Sequence, residues 1–380
     1  MRSQFKALFP RAVETVYLDT AAEGLPAPGL AESFAEYCRD KSLGTPGRRR
    51  FHRVEAETTS LCARLLETSP ENVTLLSNAS EAFNVLAGSL EWKAGDRVII
   101  SDLEFPSNVY PWLRLEQMGV EVVVVSGHGG ALRFEDIEQH INGSTRLISL
   151  SLVSYRTGAF LDCVPRLSAE AHRVGAFLSI DATQALGRLP LNVEGIDYLM
   201  SSSFKWLLGP HGLGVVYVSP ELRERLNPRA VGWYSVRNCF VPDRFERYDL
   251  KSGAACLASG MPNFPSLYAL RDSLRFVLRT GIDSIRDRLL EPIAVLRRRL
   301  AAAGLSLLTP EDPRLASGIV AFEHPHATQI GSALEEEGVI VWAGDGRVRA
   351  SLHLYNDEED VDRYVSILEG VLKKEKVAHG

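Results

Sequence analysis

The stretch Ser201-Ser-Ser-Phe-Lys205-Trp-Leu-Leu-Gly-Pro210 does most to decide the fold and the function of this chain. It follows an apolar, strand-like run and continues into an apolar segment that ends in Gly-Pro. A lysine in such surroundings extends its ammonium group to solvent, forms an ion pair, or has its pKa lowered by desolvation. Because an imine-forming lysine needs a lowered pKa, Lys205 is a candidate catalytic residue. The alternative is a lysine that simply extends to solvent.

A second strand-like run upstream, Phe177-Leu-Ser-Ile-Asp181, ends in an acid, and Gln184 follows three residues later. Ligands of open α/β sheets bind at the carboxyl ends of the strands, so Asp181 is a candidate binding residue. For an isolated aspartate at a strand end, the alternative is a plain turn or cap role.

A third candidate, Ser77-Asn-Ala-Ser-Glu81, follows the strand-like run 72–76 and starts a helical pattern. Asn78, with Glu81 three residues later, forms a start that is similar to a capping box. The N–H groups and the dipole of such a helix favour an anion. The alternative is a well-capped helix without a ligand.

Strand-like runs alternate with helical patterns around these segments, from about residue 70 to 218. The strand-like runs are 72–76, 97–101, 120–125, 145–150, 176–180, 198–201 and 214–218. The helical patterns between them are 80–90, 107–118, 134–141 and 166–174. Such alternation predicts an α/β fold, with a mainly parallel sheet and helices on both faces. The valine run 122–125 is expected to be buried on both sides, and 214–218, which no crossover helix precedes, is expected to be antiparallel.

The remaining chain predicts a smaller α+β unit. Two long helical patterns, 265–280 and 283–303, are followed by strand, helix, strand and helix up to about residue 373. We therefore expect a large domain over 1–260, which includes an N-terminal arm, and a small C-terminal domain over 261–380.

Composition and charge exclude several classes of protein. The 380 residues are 45% hydrophobic and 24% charged, which allows two domains and a large core. The net charge of −6, with acids and bases interspersed, predicts neither a nucleic-acid nor a membrane partner. The absence of a secretory signal and the five widely spaced cysteines predict a cytoplasmic protein. No metal site is expected, since the pair His324 and His326 has no third ligand nearby.

Several catalytic signatures are missing from the sequence, among them the phosphate loop, HExxH, GxSxG and CxxC. The glycine-rich Gly209-Pro-His-Gly-Leu-Gly214 precedes a strand and does not open a helix. An NAD(P)-dependent oxidoreductase is therefore disfavoured.

Taken together, these segments resemble the class V aminotransferase and cysteine desulfurase family, which are enzymes of fold type I that use pyridoxal 5′-phosphate (PLP). The resemblance covers nearly the whole chain. The motifs that carry it, in order, are Val16-Tyr-Leu-Asp-Thr-Ala-Ala22, 77–84, Glu104-Phe-Pro-Ser-Asn-Val-Tyr-Pro-Trp112, Asp181-Ala-Thr-Gln184, 201–210, Ser259-Gly-Met-Pro-Asn263 and Arg347-Val-Arg-Ala-Ser-Leu-His-Leu-Tyr-Asn356. The resemblance implies a seven-stranded, mainly parallel sheet in the large domain, a small amino-acid substrate and a homodimer.

The resemblance also implies a role for each site residue. Lys205 would bind PLP covalently and move protons at the substrate α-carbon, Asp181 would pair with the protonated ring nitrogen, and Gln184 would bond the ring 3-oxygen. Arg349 would clamp the substrate α-carboxylate, a task suited to guanidinium. The remaining expected cofactor contacts are Ala79 and Ser80 to the phosphate, Phe105 stacked on the ring, Ser202 as a further phosphate ligand, and Met261 through its backbone to the phosphate of a partner subunit.

Departures from the family pattern bear on the reaction. Phe204 and Met261 stand where cysteine desulfurases usually have histidine and threonine, and Tyr155 replaces the family's ring-oxygen asparagine. Sulfur-transferring desulfurases carry a nucleophilic cysteine just before the carboxylate-binding arginine, yet the segment 339–349 has none. Because a persulfide-forming mechanism needs a thiolate at the substrate sulfur, that route is not expected.

We therefore expect a PLP-dependent lyase or aminotransferase that acts at the α-carbon of a small amino acid. β-Elimination or C–S bond lysis, transamination and epimerisation stay open, because substrate orientation selects among them. The missing cysteine makes the chain more similar to C–S lyases and isopenicillin-N-epimerase-like members than to desulfurases. A cysteine desulfurase is an alternative, as is a PLP-fold protein that has lost catalysis. The presence of the lysine, aspartate, glutamine and arginine argues against the latter.

Overall fold

A seven-stranded sheet organises the larger part of the chain in the computed structural model, which describes residues 4–379. The strands are β1 (Val16–Tyr17), β2 (Val73–Leu76), β3 (Arg97–Ser101), β4 (Glu121–Val125), β5 (Thr145–Ser151), β6 (Phe177–Asp181), β7 (Tyr198–Ser202), β8 (Gly214–Val218), β9 (Ser306–Leu307), β10 (Ile319–Glu323), β11 (Val339–Ile340), β12 (Trp342–Gly344) and β13 (Arg347–Ser351). The α-helices are α1 (Pro10–Glu14), α2 (Leu30–Ser42), α3 (Thr45–Leu65), α4 (Ala79–Ser89), α5 (Tyr110–Leu113), α6 (Phe134–Glu138), α7 (Val164–Arg173), α8 (Pro220–Arg223), α9 (Phe264–Thr280), α10 (Ile282–Ala302), α11 (Ala327–Glu336) and α12 (Glu358–His379).

The order of the large sheet is β2-β8-β7-β6-β5-β3-β4, and only β8 runs antiparallel to its neighbours. The predicted mainly parallel α/β fold and the antiparallel arm are thus confirmed. Helices cover both faces, because the side chains of each strand alternate between two apolar cores. One core contains Ile99 and packs against α3, α7 and α9, whereas the other contains Val98 and Ile100 and packs against α4 and α5.

Two local expectations are wrong. The valine run 122–125 is not buried on both sides, because β4 is the edge strand of the sheet, and the side chain of Val124 is 52% exposed. The pattern 107–118 is not one helix either: α5 lies between two short 3₁₀ turns. Pro106 and Pro111 explain this break, since proline has no N–H to donate and disfavours a helical residue before it.

The C-terminal part of the chain forms a smaller antiparallel sheet in the order β12-β13-β10-β9, covered by α10, α11 and α12. The N-terminal arm packs on it: β1 pairs in parallel with β11, and Phe9 and Leu18 are buried in the same core. α9 packs instead on α2 and α3. The domain boundary near residue 260 stays a prediction. Within residues 4–379, no helix is long and apolar enough to cross a membrane.

Candidate active site

A cavity of about 200 Å³ lies at the carboxyl ends of the parallel strands. β5, β6 and β7 each end at this edge, and α4 begins there after β2. The residues that line it are Asn78, Ala79, Ser80, Phe105, Ser107, Ser151, Val153, Tyr155, Asp181, Thr183, Gln184, Ser202, Phe204 and Lys205. The fold therefore gathers Lys205, Asp181 and the start of α4, which are far apart in sequence, around one space.

Lys205 follows the end of β7 by three residues and lies among aromatic rings. Its Nζ atom is 5.4 Å from the centroid of the Phe105 ring and 5.5 Å from that of Phe204. Desolvation, and next the positive charge of Arg349, lower the pKa of Lys205 to about 8, although Asp181 opposes the shift. An amine with this pKa has a much larger unprotonated fraction near neutral pH than an ordinary lysine, so it is better able to act as a nucleophile or a base.

Asp181 is the last residue of β6 and is buried. Its Oδ1 atom accepts a hydrogen bond of 2.8 Å from the Thr183 backbone N–H. Burial raises the pKa of Asp181, and the hydrogen bonds of Thr183 and the charge of Lys205 oppose this shift only in part. A buried carboxylate of this kind needs a cationic partner, which a protonated pyridine nitrogen provides.

Both the nitrogen and the oxygen of the Gln184 side-chain amide form hydrogen bonds. Its Nε2 donates to the Ala21 carbonyl at 3.0 Å, and its Oε1 accepts from Trp206 Nε1 at 2.7 Å. Since an amide nitrogen has two hydrogens, one donor remains for a group in the cavity. The Trp206 carbonyl is in turn 2.9 Å from His353 Nε2, so hydrogen bonds connect Gln184 through Trp206 to His353.

The N-terminus of α4 faces the cavity and is capped in the predicted way. Asn78 Oδ1 accepts from the Glu81 N–H at 2.9 Å, and Glu81 Oε2 accepts from the Ser77 N–H at 2.6 Å. The Ser80 hydroxyl is 2.8 Å from that of Ser107. The first N–H groups of a helix have no intrahelical partner, so those of Ala79 and Ser80 are suited to a phosphate.

Arg349 lies on β13, behind Tyr155, and does not line this cavity. Its Nη1 donates to the Tyr155 carbonyl at 2.9 Å, and its Nε is buried without a partner. Burial is the main reason why its pKa falls to about 10. The Trp342 ring contacts both Arg349, at 5.2 Å, and Arg347, at 4.4 Å. Two cationic side chains and one indole ring thus occupy the C-terminal side of the site.

Asp19 also lies near the site, and the sequence analysis did not single it out as a candidate site residue. Burial raises its pKa to about 6, while the charges of Arg349 and Lys205 act in the opposite direction. Its Oδ1 is buried and has no hydrogen-bond partner. Asp19 lies in a motif that resembles the family, but only the structure brings it from the N-terminal arm to these two cations.

Met261 is not brought into the cavity of its own chain. Its side chain is 38% exposed and lies beside a separate small cavity that Ser77 and Glu81 also line. The contact of Met261 with the phosphate of a partner subunit therefore stays a prediction.

The segment in which desulfurases carry a cysteine is a tight hairpin. β12 and β13 are joined by Asp345 and Gly346, which have φ angles of 47° and 70°. Such a two-residue turn has no room for a mobile loop. None of the five cysteines lines the Lys205 cavity, and burial raises the pKa of the thiols of Cys62 and Cys163 to about 12.

The described residues fit PLP. The buried Asp181 suits the ring nitrogen, the remaining amide donor of Gln184 suits the ring oxygen, and the start of α4 suits the phosphate. The amine of Lys205 lies in the same cavity and suits covalent attachment.

Comparisons with known proteins bear on the family and the fold. The model of the aminotransferase class-V family matches residues 16–364. A probable cysteine desulfurase from Methanothermobacter thermautotrophicus is 29% identical over 393 residues, which cover 95% of this chain and 96% of that protein. A kynureninase from Bacillus anthracis is 28% identical over 396 residues, which cover 98% of this chain and 92% of that protein. The apo structure of a cysteine desulfurase from Thermococcus onnurineus NA1 superposes with a TM-score of 0.90 at 24% identity, over 98% of this chain and 99% of that chain.

Proposed function

Because the chain belongs to the aminotransferase class-V family, whose members are PLP-dependent enzymes, we propose that it catalyses β-elimination or C–S bond lysis on a small amino acid without a persulfide-forming cysteine. The observation that carries the proposal is the two-residue turn at Asp345 and Gly346, which stands where a desulfurase needs a thiol. The family, the fold and the cofactor that the sequence predicted are confirmed. The type of reaction is our proposal.

PLP, when bound, supplies an electron sink for the charge that develops at the substrate α-carbon. The residues of this chain orient it and the substrate. Asp181 would hold a negative charge against the ring nitrogen, and the backbone at the start of α4 would hold the phosphate. Arg349, which the structure places next to Tyr155 and not in the lining of the cavity, would bind the substrate α-carboxylate, and Lys205 would move the proton at the α-carbon, for which its lowered pKa is suited.

An elimination needs no protein nucleophile at the sulfur. Lys205 would take the α-proton, the electrons of the Cα–H bond would form a Cα–Cβ double bond as the Cβ–S bond breaks, and the sulfur group would leave with the Cβ–S electron pair as a thiolate or persulfide anion. Hydrolysis of the resulting enamine by water gives pyruvate and ammonia. A desulfurase instead needs a protein thiolate that attacks the sulfur. Since the thiols of Cys62 and Cys163 have raised pKa values and lie outside the cavity, the arrangement favours elimination.

The proposal is tested by incubating the holoenzyme with cysteine, cystine and other small amino acids. Pyruvate, released sulfur species, keto acids and substrate chirality are followed together. We expect pyruvate with a released sulfur species, no persulfide on the protein, and no turnover by Lys205→Ala. A stoichiometric protein persulfide that disappears with activity in one Cys→Ala variant would contradict the proposal and favour a cysteine desulfurase.

Transamination and epimerisation are separated in the same assay. A keto acid without sulfur release identifies an aminotransferase, and inversion of chirality without bond cleavage identifies an epimerase. Either result would contradict the proposal that the protein catalyses elimination.

A further inference from the structure

A second cavity, of about 530 Å³, lies outside the Lys205 site. It forms where the segment after β6 meets α10 and the residues that precede β10. Arg188 and Leu189 line it from the segment after β6, Ile293 and Arg297 from α10, and Pro313 from the residues before β10. Apolar side chains line much of it, and its charged side chains are four arginines and one glutamate, Glu291, so it is suited to a ligand with both an apolar body and a negative charge.

The Arg188 guanidinium lies in this cavity and lacks a counterion. The residue is 1% exposed, and its Nε and Nη1 atoms have no hydrogen-bond partner. The carboxylate whose charge acts on it most, that of Asp287, already accepts a 2.7 Å hydrogen bond from Arg286. Burial without a counterion is costly for a cation, and it lowers the pKa of Arg188 to about 9.

Arg297 supplies a second free donor to the same cavity. One of its terminal nitrogens donates to the Pro310 carbonyl, but its Nε is buried without a partner. The other charged side chains around the cavity are paired with groups outside it: Arg286 with Asp283 and Asp287, Arg314 with Asp312, and Glu291 with Arg298. Among the four arginines of the cavity, Arg188 and Arg297 are thus the two that form no ion pair with an acidic side chain.

We propose that this cavity binds an organic carboxylate with a short apolar body. The carboxylate accepts hydrogen bonds from Arg188 and Arg297, for which the planar guanidinium is well suited. The apolar body lies against Leu189, Ile293 and Leu290, whose side chain is otherwise 55% exposed. This ligand supplies the negative charge that the buried Arg188 lacks.

Isothermal titration calorimetry of the holoenzyme with hexanoate tests the proposal. Hexylamine has the same apolar body and the opposite charge, and inorganic phosphate is an anion without an apolar body. We expect one saturable hexanoate site and no comparable binding of the other two. Arg188→Met and Arg297→Met should each weaken hexanoate binding at least roughly tenfold, because each removes a charge-assisted hydrogen bond.

Two further sets of variants locate the site. Ala294→Phe fills the cavity but keeps both arginines, so it should block hexanoate binding even if Arg188→Met fails to fold. Arg314→Met, which removes a paired arginine at the cavity, and Arg349→Met, which removes the substrate-binding arginine, should retain it. Thermal melts confirm that each variant is folded.

Four outcomes would overturn the proposal: no saturable hexanoate site, equal binding of hexylamine, binding of phosphate but not hexanoate, or retention of full affinity in Arg188→Met, Arg297→Met and Ala294→Phe. Because calorimetry does not depend on turnover, these outcomes are separate from a failure of the proposed reaction.

Discussion

Gly24 gives the sharpest test of how the backbone positions Lys205. The N–H of Gly24 donates to the Phe204 carbonyl at 2.9 Å, so the N-terminal arm lies directly against the chain that carries the lysine. A Cβ atom at Gly24 would lie 2.0 Å from the Lys205 carbonyl oxygen and 2.9 Å from its carbonyl carbon. Since real Cβ contacts are essentially never shorter than 3.0 Å, Gly24→Ala must move the two backbones apart by about 1 Å.

A displacement of about 1 Å at a reacting group costs roughly 10²-fold in rate, so we expect Gly24→Ala to lower kcat/KM by about that factor. Overpacking should also cost about 1–3 kcal/mol of folding free energy. The assays are steady-state turnover, the fraction of reducible, covalently bound PLP, and the melting temperature.

Gly88→Ala in α4 is the matched control, because an added Cβ meets nothing within 4 Å there. It should leave turnover unchanged and stabilise the helix by up to about 1 kcal/mol. If Gly24→Ala keeps kcat/KM within twofold of the parent and loads PLP fully, the close contact does not position Lys205 and the reasoning is refuted.

The further predictions concern the cofactor, the thiols and the assembly. Borohydride reduction of the holoenzyme followed by peptide mapping should label Lys205, and label on any other lysine would refute the assignment. Loading of PLP onto the apoprotein requires the unprotonated amine, so its rate should rise as pH increases through about 8. Arg349→Met removes a positive charge that lowers the pKa of Lys205, so the midpoint of this rise should move to higher pH; an unchanged midpoint would contradict the electrostatic account. Replacement of all five cysteines by serine or alanine should leave turnover largely intact, although folding stability can fall. Loss of turnover in a folded variant would instead support a catalytic role for one of the thiols. Sedimentation should give a homodimer joined partly through the exposed aromatic side chains between residues 233 and 248, whereas a fully active monomer would exclude it.

The ordered motifs were sufficient to predict most of the Lys205 cavity. Asp181 and Ser202 end neighbouring parallel strands, and the start of α4 follows a strand that runs the same way. The carboxyl ends of such strands meet at one edge, so residues far apart in sequence are brought together by topology alone. The shortness of the segment between β12 and β13, and its lack of cysteine, were equally visible in the sequence.

Other features depended on packing between distant segments. Asp19 faces Arg349 and Lys205 only because the N-terminal arm packs on the C-terminal sheet. The valine run of β4 has the composition of a buried strand, yet the strand order places it at the edge. Met261 lies outside the cavity of its own chain for a similar reason, since its segment packs beside Ser77 and Glu81, around a separate cavity.

The sequence by itself determined the α/β class and the family, and it indicated Lys205 as the candidate lysine, because periodicity and the order of short motifs are local properties of the chain. The tertiary structure alone decided which cations lie together and which lack a counterion. Arg188 shows this most clearly: its neighbours along the chain, Gly187 and Leu189, give no sign of a ligand site. Its burial against α10 and the residues before β10 leaves its guanidinium without a partner. The free energy of a buried charge depends on every group packed around it, and those groups come from parts of the chain about 100 residues away.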